Sequence, residues 1–193
     1  MSDESRLAAL EARLQNLEDR QAIRDCVVRL ARGDDRLDRE LFLTVFHPDG
    51  TDDHKGFNGT PEEFFDWIYD THKRFHKTTL HHLTNQSCDI DGDTAHTETY
   101  WIFSGSNVDG KNSISWGRYL DRLERRDGHW KIAFRYAIIE AMCLVEGAPL
   151  PFANAPDPYA SGLPSQTRSD PSYLRPLLNR RARLVPAPGS DYE

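Results

Sequence analysis

Cysteine is scarce in this chain of 193 residues, which contains only Cys26, Cys88 and Cys143. The three are far apart, odd in number and surrounded by apolar residues, and no two of them form a Cys-x-x-Cys pair. A zinc ribbon is therefore excluded. We expect three buried free thiols in a cytoplasmic protein, since disulfides are rare in that compartment.

Long apolar runs and an excess of basic residues are also missing. No run approaches the length of a membrane span, and the acidic N-terminus lacks the basic start and apolar stretch of a signal peptide. The 24 Lys and Arg residues are outnumbered by 31 Asp and Glu residues, giving a net charge of −7. This balance argues against nucleic acid and anionic membranes as partners. The glycines form no nucleotide-binding fingerprint, so no nucleotide cofactor is expected.

Helical patterns come first in the chain and strand patterns follow. Apolar residues recur at helical spacing from about Glu4 to Ala31, with Gly33 as a stop. Further helices are predicted over Arg39–Phe46 and after the capping signal Thr60-Pro61-Glu62-Glu63. Four strand patterns are separated by Asp-Gly turns; they are Thr78–Ile90, Thr94–Ser104, Ser113–Arg125 and His129–Leu144. This order predicts an α+β fold, with helices packed on one face of a curved antiparallel sheet.

Proline marks a second region of the chain. Six prolines crowd the segment from Pro149 to Pro171, which has few apolar runs. The sequence therefore predicts an α+β domain over residues 1–148 and a proline-rich arm over residues 149–193. We expect this arm to extend over its own domain or over a neighbour and to end in disorder.

Two polar residues interrupt apolar patterns and are candidates for catalysis. Asp34 follows the predicted first helix, and His81 lies within the first strand pattern. In an apolar cavity, the carboxylate would orient the imidazole, which could then accept a proton near neutral pH. The alternatives are an Asp34 that terminates a helix and a His81 that is a satisfied core histidine. His82 competes with His81, because a slip of one residue would exchange the faces of the strand.

Several short segments together resemble the SnoaL-like branch of the nuclear transport factor 2-like (NTF2-like) superfamily. The resemblance extends from about Leu14 to Glu146. It depends on the order and spacing of the segments more than on any one of them. They are Ala22-Ile23-Arg24-Asp25, Gly33-Asp34, Phe46-His47-Pro48-Asp49, Asp91-Gly92-Asp93-Thr94-Ala95, Gly117–Arg122 and Arg126–Ile132.

This resemblance implies a cone-shaped α+β barrel with one apolar pocket, which associates as a homodimer or homotrimer. Within the superfamily, the pattern is similar to that of hexachlorocyclohexane dehydrochlorinases and scytalone dehydratases, which are cofactor-free lyases. The segment Thr79–Asn85 matches the surroundings of the dyad histidine in the dehydrochlorinases. The resemblance thus implies that His81 is the general base and that Asp34 orients it.

Two arginines are implied as pocket cations by the same resemblance. Arg29 lies five residues before Asp34, and Arg135 follows the Trp-Lys motif of the last strand. A fixed positive charge in a dry pocket would stabilise a departing anion or an enolate. The alternatives are an Arg29 on the helix surface and an Arg135 that pairs with Asp121 or Glu140.

Four further residues are predicted to contact substrate. Tyr100 and Trp116 are strand aromatics, and His82 is the neighbour of the predicted base. His54, beside Asp53, belongs to a segment that departs from the family pattern and could reach the pocket mouth. An aromatic-lined pocket suits a hydrophobic aromatic or alicyclic substrate.

His72 and His76 are four residues apart on the third predicted helix, a spacing that metal ligands use. No His-Glu-x-x-His signature and no cysteine pair accompany them. We therefore expect exposed histidines on a solvated face, and we predict no metal site.

The sequence as a whole predicts a cofactor-independent lyase. His81 would remove a proton, and water, halide or a small carbonyl fragment such as formaldehyde would depart. One alternative is an isomerase or cyclase that uses the same dyad. The other is a non-catalytic small subunit of an aromatic-ring dioxygenase.

Overall fold

The computed structural model of the chain describes residues 2–147, 159–179 and 181–183. Three helices, α1 (Asp3–Asp35), α2 (Arg39–Leu43) and α3 (Pro61–Phe75), cover a curved six-stranded sheet. The strands lie in the spatial order β2-β1-β6-β5-β4-β3. Their bounds are β1 (Phe46–His54), β2 (Phe57–Gly59), β3 (His76–Asp91), β4 (Thr94–Asn107), β5 (Asn112–Arg126) and β6 (His129–Val145). The predicted α+β class is confirmed.

Helix α1 ends four residues later than the sequence pattern predicts. Gly33 lies inside the helix and does not stop it, because α2 crosses the helix at that point. A Cβ atom on Gly33 would come within 2.9 Å of the backbone of Phe42. Glycine thus permits close packing here, and the longer helix carries Asp34 and Asp35 into the interior, where both are buried.

Helix α3 begins as its sequence signal predicts. The Thr60 side chain accepts a hydrogen bond from the backbone N–H of Glu63, and the Glu63 carboxylate accepts one from the Thr60 backbone. Pro61 occupies the first turn, where its missing N–H has no partner to lose. The apolar face of the helix, including Phe64 and Phe65, packs into the main core.

The four predicted strands are present, and each is slightly longer than its pattern. Strands β3 to β6 form an antiparallel meander joined by tight turns. Strands β1 and β2 were not predicted, and β1 pairs with β6 in parallel. The sheet is therefore mixed and not purely antiparallel. Its Asp- and His-rich strand β1 lacks the β-branched composition that signals strands.

Three cysteines are free thiols, as expected, but their burial differs. Cys26 is buried in the core, Cys88 is partly buried and Cys143 is exposed. The prediction of three buried thiols is therefore wrong for Cys143. It lies near the end of β6, where the neighbouring residues Met142, Leu144 and Val145 are exposed as well.

The described part of the proline-rich arm lies against the helices of its own chain. The Tyr173 hydroxyl donates a hydrogen bond to Asp38 over 2.8 Å, and the Arg32 guanidinium lies 4.7 Å above the Tyr173 ring centroid. Asp170 lies 3.5 Å from Arg36. The predicted boundary at 148/149 and the predicted disordered end lie outside the described residues.

In the described part of the chain, no helix is both long and apolar enough to cross a membrane.

Substitution of Gly117 by alanine is expected to destabilise the fold by about 3 kcal/mol. Gly117 lies at a bulge in β5, and a Cβ atom there would overlap the carbonyl oxygen of Ile138 and press on the Trp101 ring. Denaturant unfolding would measure the loss. Gly56→Ala is the matched control, because that position has open space around it. Equal stabilities of the two variants would contradict the packing argument.

Candidate active site

The end of α1 and the start of β3 are joined by a carboxylate–imidazole pair that involves Asp35. The Nδ1 atom of His81 lies 2.8 Å from Asp35 Oδ1, and the backbone N–H of His81 donates to Asp35 Oδ2 over 2.9 Å. A carboxylate can only accept, so Nδ1 carries the ring proton. The other ring nitrogen, Nε2, is therefore left unprotonated in the neutral ring and available as a base.

Asp34 does not hold His81 in the way the sequence predicted. Its Oδ2 atom lies 3.7 Å from His81 Nε2, whereas its Oδ1 atom lies 3.1 Å from Nε2 of His72. The two aspartates are neighbours on the last helical turn, and their side chains diverge. The orienting carboxylate of His81 is thus Asp35, and Asp34 lies between two imidazoles.

These contacts shift the proton affinities of the site. Burial by itself would lower the pKa of His81, but Asp34 and Asp35 outweigh it and raise that pKa above its ordinary value. Burial would likewise raise the pKa of the Asp34 carboxyl, but His72 and His81 lower it to about 2. Asp34 is therefore ionised at neutral pH, and its negative charge favours protonation of His81.

Beyond His72, the contacts continue to His76. The two Nδ1 atoms lie 3.2 Å apart. Burial, together with the neighbouring His72 and Lys55, lowers the pKa of His76 to about 4. His76 is consequently neutral at pH 7. The Phe103 ring packs against His72, His76 and His81, with centroid distances of 5.1 to 5.9 Å.

A cavity of about 640 Å³ opens beside these groups. Asp34, His72, His76 and His81 all line it. Most of the remaining wall is apolar, and it comes from α3, from strands β4, β5 and β6, and from the turn between β4 and β5; these residues are Trp67, Ile68, Phe75, Trp101, Phe103, Val108, Ile114, Met142 and Leu144. The volume suits a small molecule with one or two rings.

The predicted aromatic contacts, Tyr100 and Trp116, lie on the outer face of the sheet and are about 44% and 43% exposed. Because side chains alternate along a strand, the neighbour Trp101 points inward. Trp101 stacks on Tyr119 with a centroid distance of 5.4 Å, and both line the cavity. The predicted contacts lie on the correct strands, but they are on the outer face of the sheet, whereas the cavity lies on the inner face.

His82 is exposed on the outer face, 3.5 Å from the hydroxyl of Ser104. The register of β3 places His82 opposite Ile102 and His81 opposite the inward Phe103. His54 does line the cavity, and its Nδ1 atom lies 3.7 Å from buried Asp52. Asp53 is not among the lining residues.

Arg29 is exposed on α1 and does not reach this cavity. Its guanidinium contacts the carbonyl oxygen of Asp25 and the sulfur of Cys26, and it lines a separate surface cleft. Five residues of helix correspond to a rotation of about 500°, which is about 140° more than one full turn. Arg29 and Asp34 therefore point to different sides of the helix. The predicted role of Arg29 as a pocket cation is therefore wrong in this structure.

Arg135 is almost completely buried, but it is already paired. Its guanidinium forms two hydrogen bonds with the Asp121 carboxylate, at 2.7 and 2.8 Å. It also lies 3.9 Å above the ring centroid of Tyr119, which separates it from the cavity. The structure therefore agrees with the alternative interpretation, an ion pair with Asp121, and gives Arg135 no contact with the cavity.

Sequence reasoning missed Asp35 and His72. Asp35 adjoins the predicted Asp34, and only the length of α1 decides which of the two faces His81. His72 was expected to be exposed, yet it is 3% exposed and points into the cavity. A signal was present, because His72 is four residues from Ile68 and seven from Phe65, on the buried face of α3.

The cavity is lined by four histidines and two aspartates, which raises the question of a metal; they are His54, His72, His76, His81, Asp34 and Asp109. Within the described residues, no group of three or more His, Cys, Asp or Glu side chains is arranged to hold a metal ion. The imidazoles contact each other and carboxylates.

The fold is a curved sheet covered by helices, with a buried imidazole beside an apolar cavity. The family model of the SnoaL-like domain matches residues 15–136. The chain therefore belongs to the SnoaL-like family. No functionally curated protein matches it in sequence.

Solved structures share this fold. A type 2 hexachlorocyclohexane dehydrochlorinase (LinA) is 21% identical over 72% of this chain and 99% of its own, with a TM-score of 0.65. A Novosphingobium aromaticivorans protein provisionally named a scytalone dehydratase is 20% identical over 66% and 88%, with a TM-score of 0.60. A second protein from that organism, provisionally named an aromatic ring hydroxylase, is 27% identical over 67% and 94%, with a TM-score of 0.58.

Proposed function

We propose that this chain is a lyase that needs no cofactor. His81 removes a proton from a hydrophobic aromatic or alicyclic small molecule, and a group on the adjacent carbon departs. The substrate occupies the cavity between α3 and strands β4 to β6. The leaving group is water, halide or a small carbonyl fragment.

The observation that carries this proposal is the attachment of His81 to Asp35. The contact with Nδ1 fixes the tautomer and the ring plane, and leaves Nε2 as the acceptor. Asp35 then stabilises the imidazolium that forms, as the carboxylate does in catalytic triads. A raised pKa strengthens the base, because a more basic imidazole accepts a proton from carbon more readily.

The cavity supports a hydrophobic substrate with at least one polar atom. The indole N–H of Trp101 is buried and has no partner among the described residues. A buried donor without a partner costs about 1–3 kcal/mol, so a substrate oxygen or halogen that accepted it would bind more tightly. Trp101 therefore replaces Tyr100 and Trp116 as the proposed aromatic contact.

The names of two structural neighbours also support a lyase. They denote elimination of hydrogen chloride and of water. A non-catalytic subunit is supported less well, because burying carboxylates against imidazoles is costly and has no purpose in a scaffold. The predicted homodimer or homotrimer stays a prediction from the sequence.

Mass spectrometry of products tests the proposal. We would incubate the purified full chain with hexachlorocyclohexane, scytalone and a panel of cyclic β-hydroxy and β-chloro ketones. The expected product has lost hydrogen chloride or water. The rate should fall as the pH drops below the raised pKa of His81, since protonation removes the base. A product of unchanged mass would favour the isomerase, and a rate unaffected by His81→Gln would contradict both.

A further inference from the structure

From Asp34, a line of contacts continues to His72 and His76, and the proposed role of His81 uses neither of these two histidines. The Nε2 atom of His72 lies 3.1 Å from the Asp34 carboxylate, within ion-pair distance, and neither of these two buried atoms has a hydrogen-bond partner among the described residues. The Nδ1 atom of His72 faces Nδ1 of His76 at 3.2 Å. Both ring nitrogens of His72 thus face a neighbour in the line, and the Nε2 atom of His76 is the ring nitrogen that faces neither neighbour.

The line runs from a buried end at Asp34 to a partly exposed end at His76. His72 and Asp34 are buried, and His76 is only partly buried at the junction of α3 and β3. His76 lines the same cavity as His81. A proton that leaves His76 can therefore reach a molecule bound in the cavity.

The charges around the line differ at its two ends. Asp34 on α1 is negative and touches His72, whereas Lys55 in the β1–β2 turn repels a proton from His76. His81 on β3 faces Asp34 from the other side. Asp34 therefore lies between two imidazoles, either of which can provide the positive charge that a buried carboxylate requires.

We propose that Asp34, His72 and His76 form a second proton relay that donates a proton to the leaving group. This assignment rests on the proposed lyase function. In it, His81 and Asp35 are the base, and His76 is the acid that touches the departing atom. His72 and Asp34 supply the proton and act as positioning residues.

Protons and electrons are balanced in this step. His81 Nε2 takes the proton from carbon, the electron pair of that bond forms the double bond, and the bond to the leaving oxygen breaks. His76 Nε2–H gives its proton to that oxygen, while His72 Nδ1–H passes one to His76 Nδ1. Water departs. His81, which is neutral at the start, ends protonated, and His72, which is an imidazolium at the start, ends neutral. The positive charge thus moves from His72 to His81, on the other side of Asp34, and the site is reset when His81 loses its proton and His72 regains one.

The relay identifies the class of substrate. Chloride departs as a stable anion and needs no proton, so an acid would have no purpose. Hydroxide is a poor leaving group unless it is protonated as it departs, and general acid catalysis contributes about 10²- to 10⁴-fold to such steps. The relay therefore points to a β-hydroxy compound, with water as the product.

Nuclear magnetic resonance of the full chain labelled with ¹⁵N-histidine tests the relay without any substrate. We expect a scalar coupling between the Nδ1 atoms of His72 and His76, which only a shared N–H···N hydrogen bond produces. In Asp34→Asn, the ring-nitrogen signals of both His72 and His81 should shift. In the control Asp25→Asn, an exposed carboxylate on the same helix, neither should shift. Absence of the coupling at pH 7 would overturn the relay.

Paired substrates test the role of the relay. A cyclic β-hydroxy ketone and its β-chloro counterpart would be compared in wild type, His76→Gln, His81→Gln and the control His96→Gln, an exposed histidine of β4. In His76→Gln, the ratio of the hydroxyl rate to the chloride rate should fall by at least about 10²-fold. In His81→Gln, both rates should collapse together. An unchanged ratio in His76→Gln would overturn the acid role.

Failure of the relay and failure of the lyase proposal give different results. A wild-type chain that shows the N–H···N coupling but turns over neither ketone would overturn the lyase, and with it the leaving-group role. A chain that eliminates from both ketones but lacks the coupling would overturn the relay and support the lyase with His81 alone.

Discussion

Replacement of Asp35 by asparagine is expected to lower kcat by about 10³- to 10⁴-fold, the magnitude seen when a triad carboxylate becomes an amide. The amide has almost the same shape, so the fold should persist. Its NH₂ group, however, would donate to His81 Nδ1, where the carboxylate accepts at 2.8 Å. The ring would then hold its proton on Nε2, and the base would become a donor.

The matched control for Asp35→Asn is Asp25→Asn, an exposed position ten residues earlier on α1. Activity should be unchanged there. Ring ¹⁵N shifts of His81 provide a second readout, because they report which nitrogen is protonated. If Asp35→Asn kept both the tautomer and kcat, Asp35 would not be the orienting group.

Replacement of Arg135 by methionine should cost about 3–5 kcal/mol of folding free energy. Methionine fills a similar space, but it leaves the Asp121 carboxylate buried without its partner. The stacking of the guanidinium on Tyr119 is lost as well. Thermal unfolding should show a fall in Tm of about 6–20 °C for a chain of this size.

Two further variants sharpen the test of Arg135. The double variant with Asp121→Leu should recover much of the loss, since no unpaired charge remains. Arg118→Met is the control, because Arg118 is more exposed and solvent screens its pairs with Glu98 and Glu140, so their loss should change the stability little. A stable Arg135→Met that had lost its chemical step would instead restore the role of pocket cation.

The local features of this chain could be predicted from short stretches of sequence. The capping box at Thr60 and the Asp-Gly turns before β4, β5 and β6 depend on residues within four positions of each other. Strand alternation shows that neighbours such as His81 and His82 lie on opposite faces. It does not show which face is inside, because that depends on what packs against the strand.

The site depends on contacts between residues far apart in the chain, which no local pattern specifies. Gly33 looks like a helix stop, yet the crossing of α2 makes it an interior residue, and the extra turn directs Asp35 to His81, 46 positions later. Arg135 was named as a pocket cation, but Asp121 on the adjacent strand neutralises it.

The sequence by itself determined the α+β class, the capped start of α3 and the meander of strands. Each of these follows from backbone propensity and side-chain periodicity, which act over a few residues. Only the tertiary structure decided that Asp35 and not Asp34 orients His81, that His72 is buried beside it, and that Trp101 replaces Trp116 at the cavity. Those outcomes depend on where α1 ends and which way the sheet curves, and both are set by packing between elements.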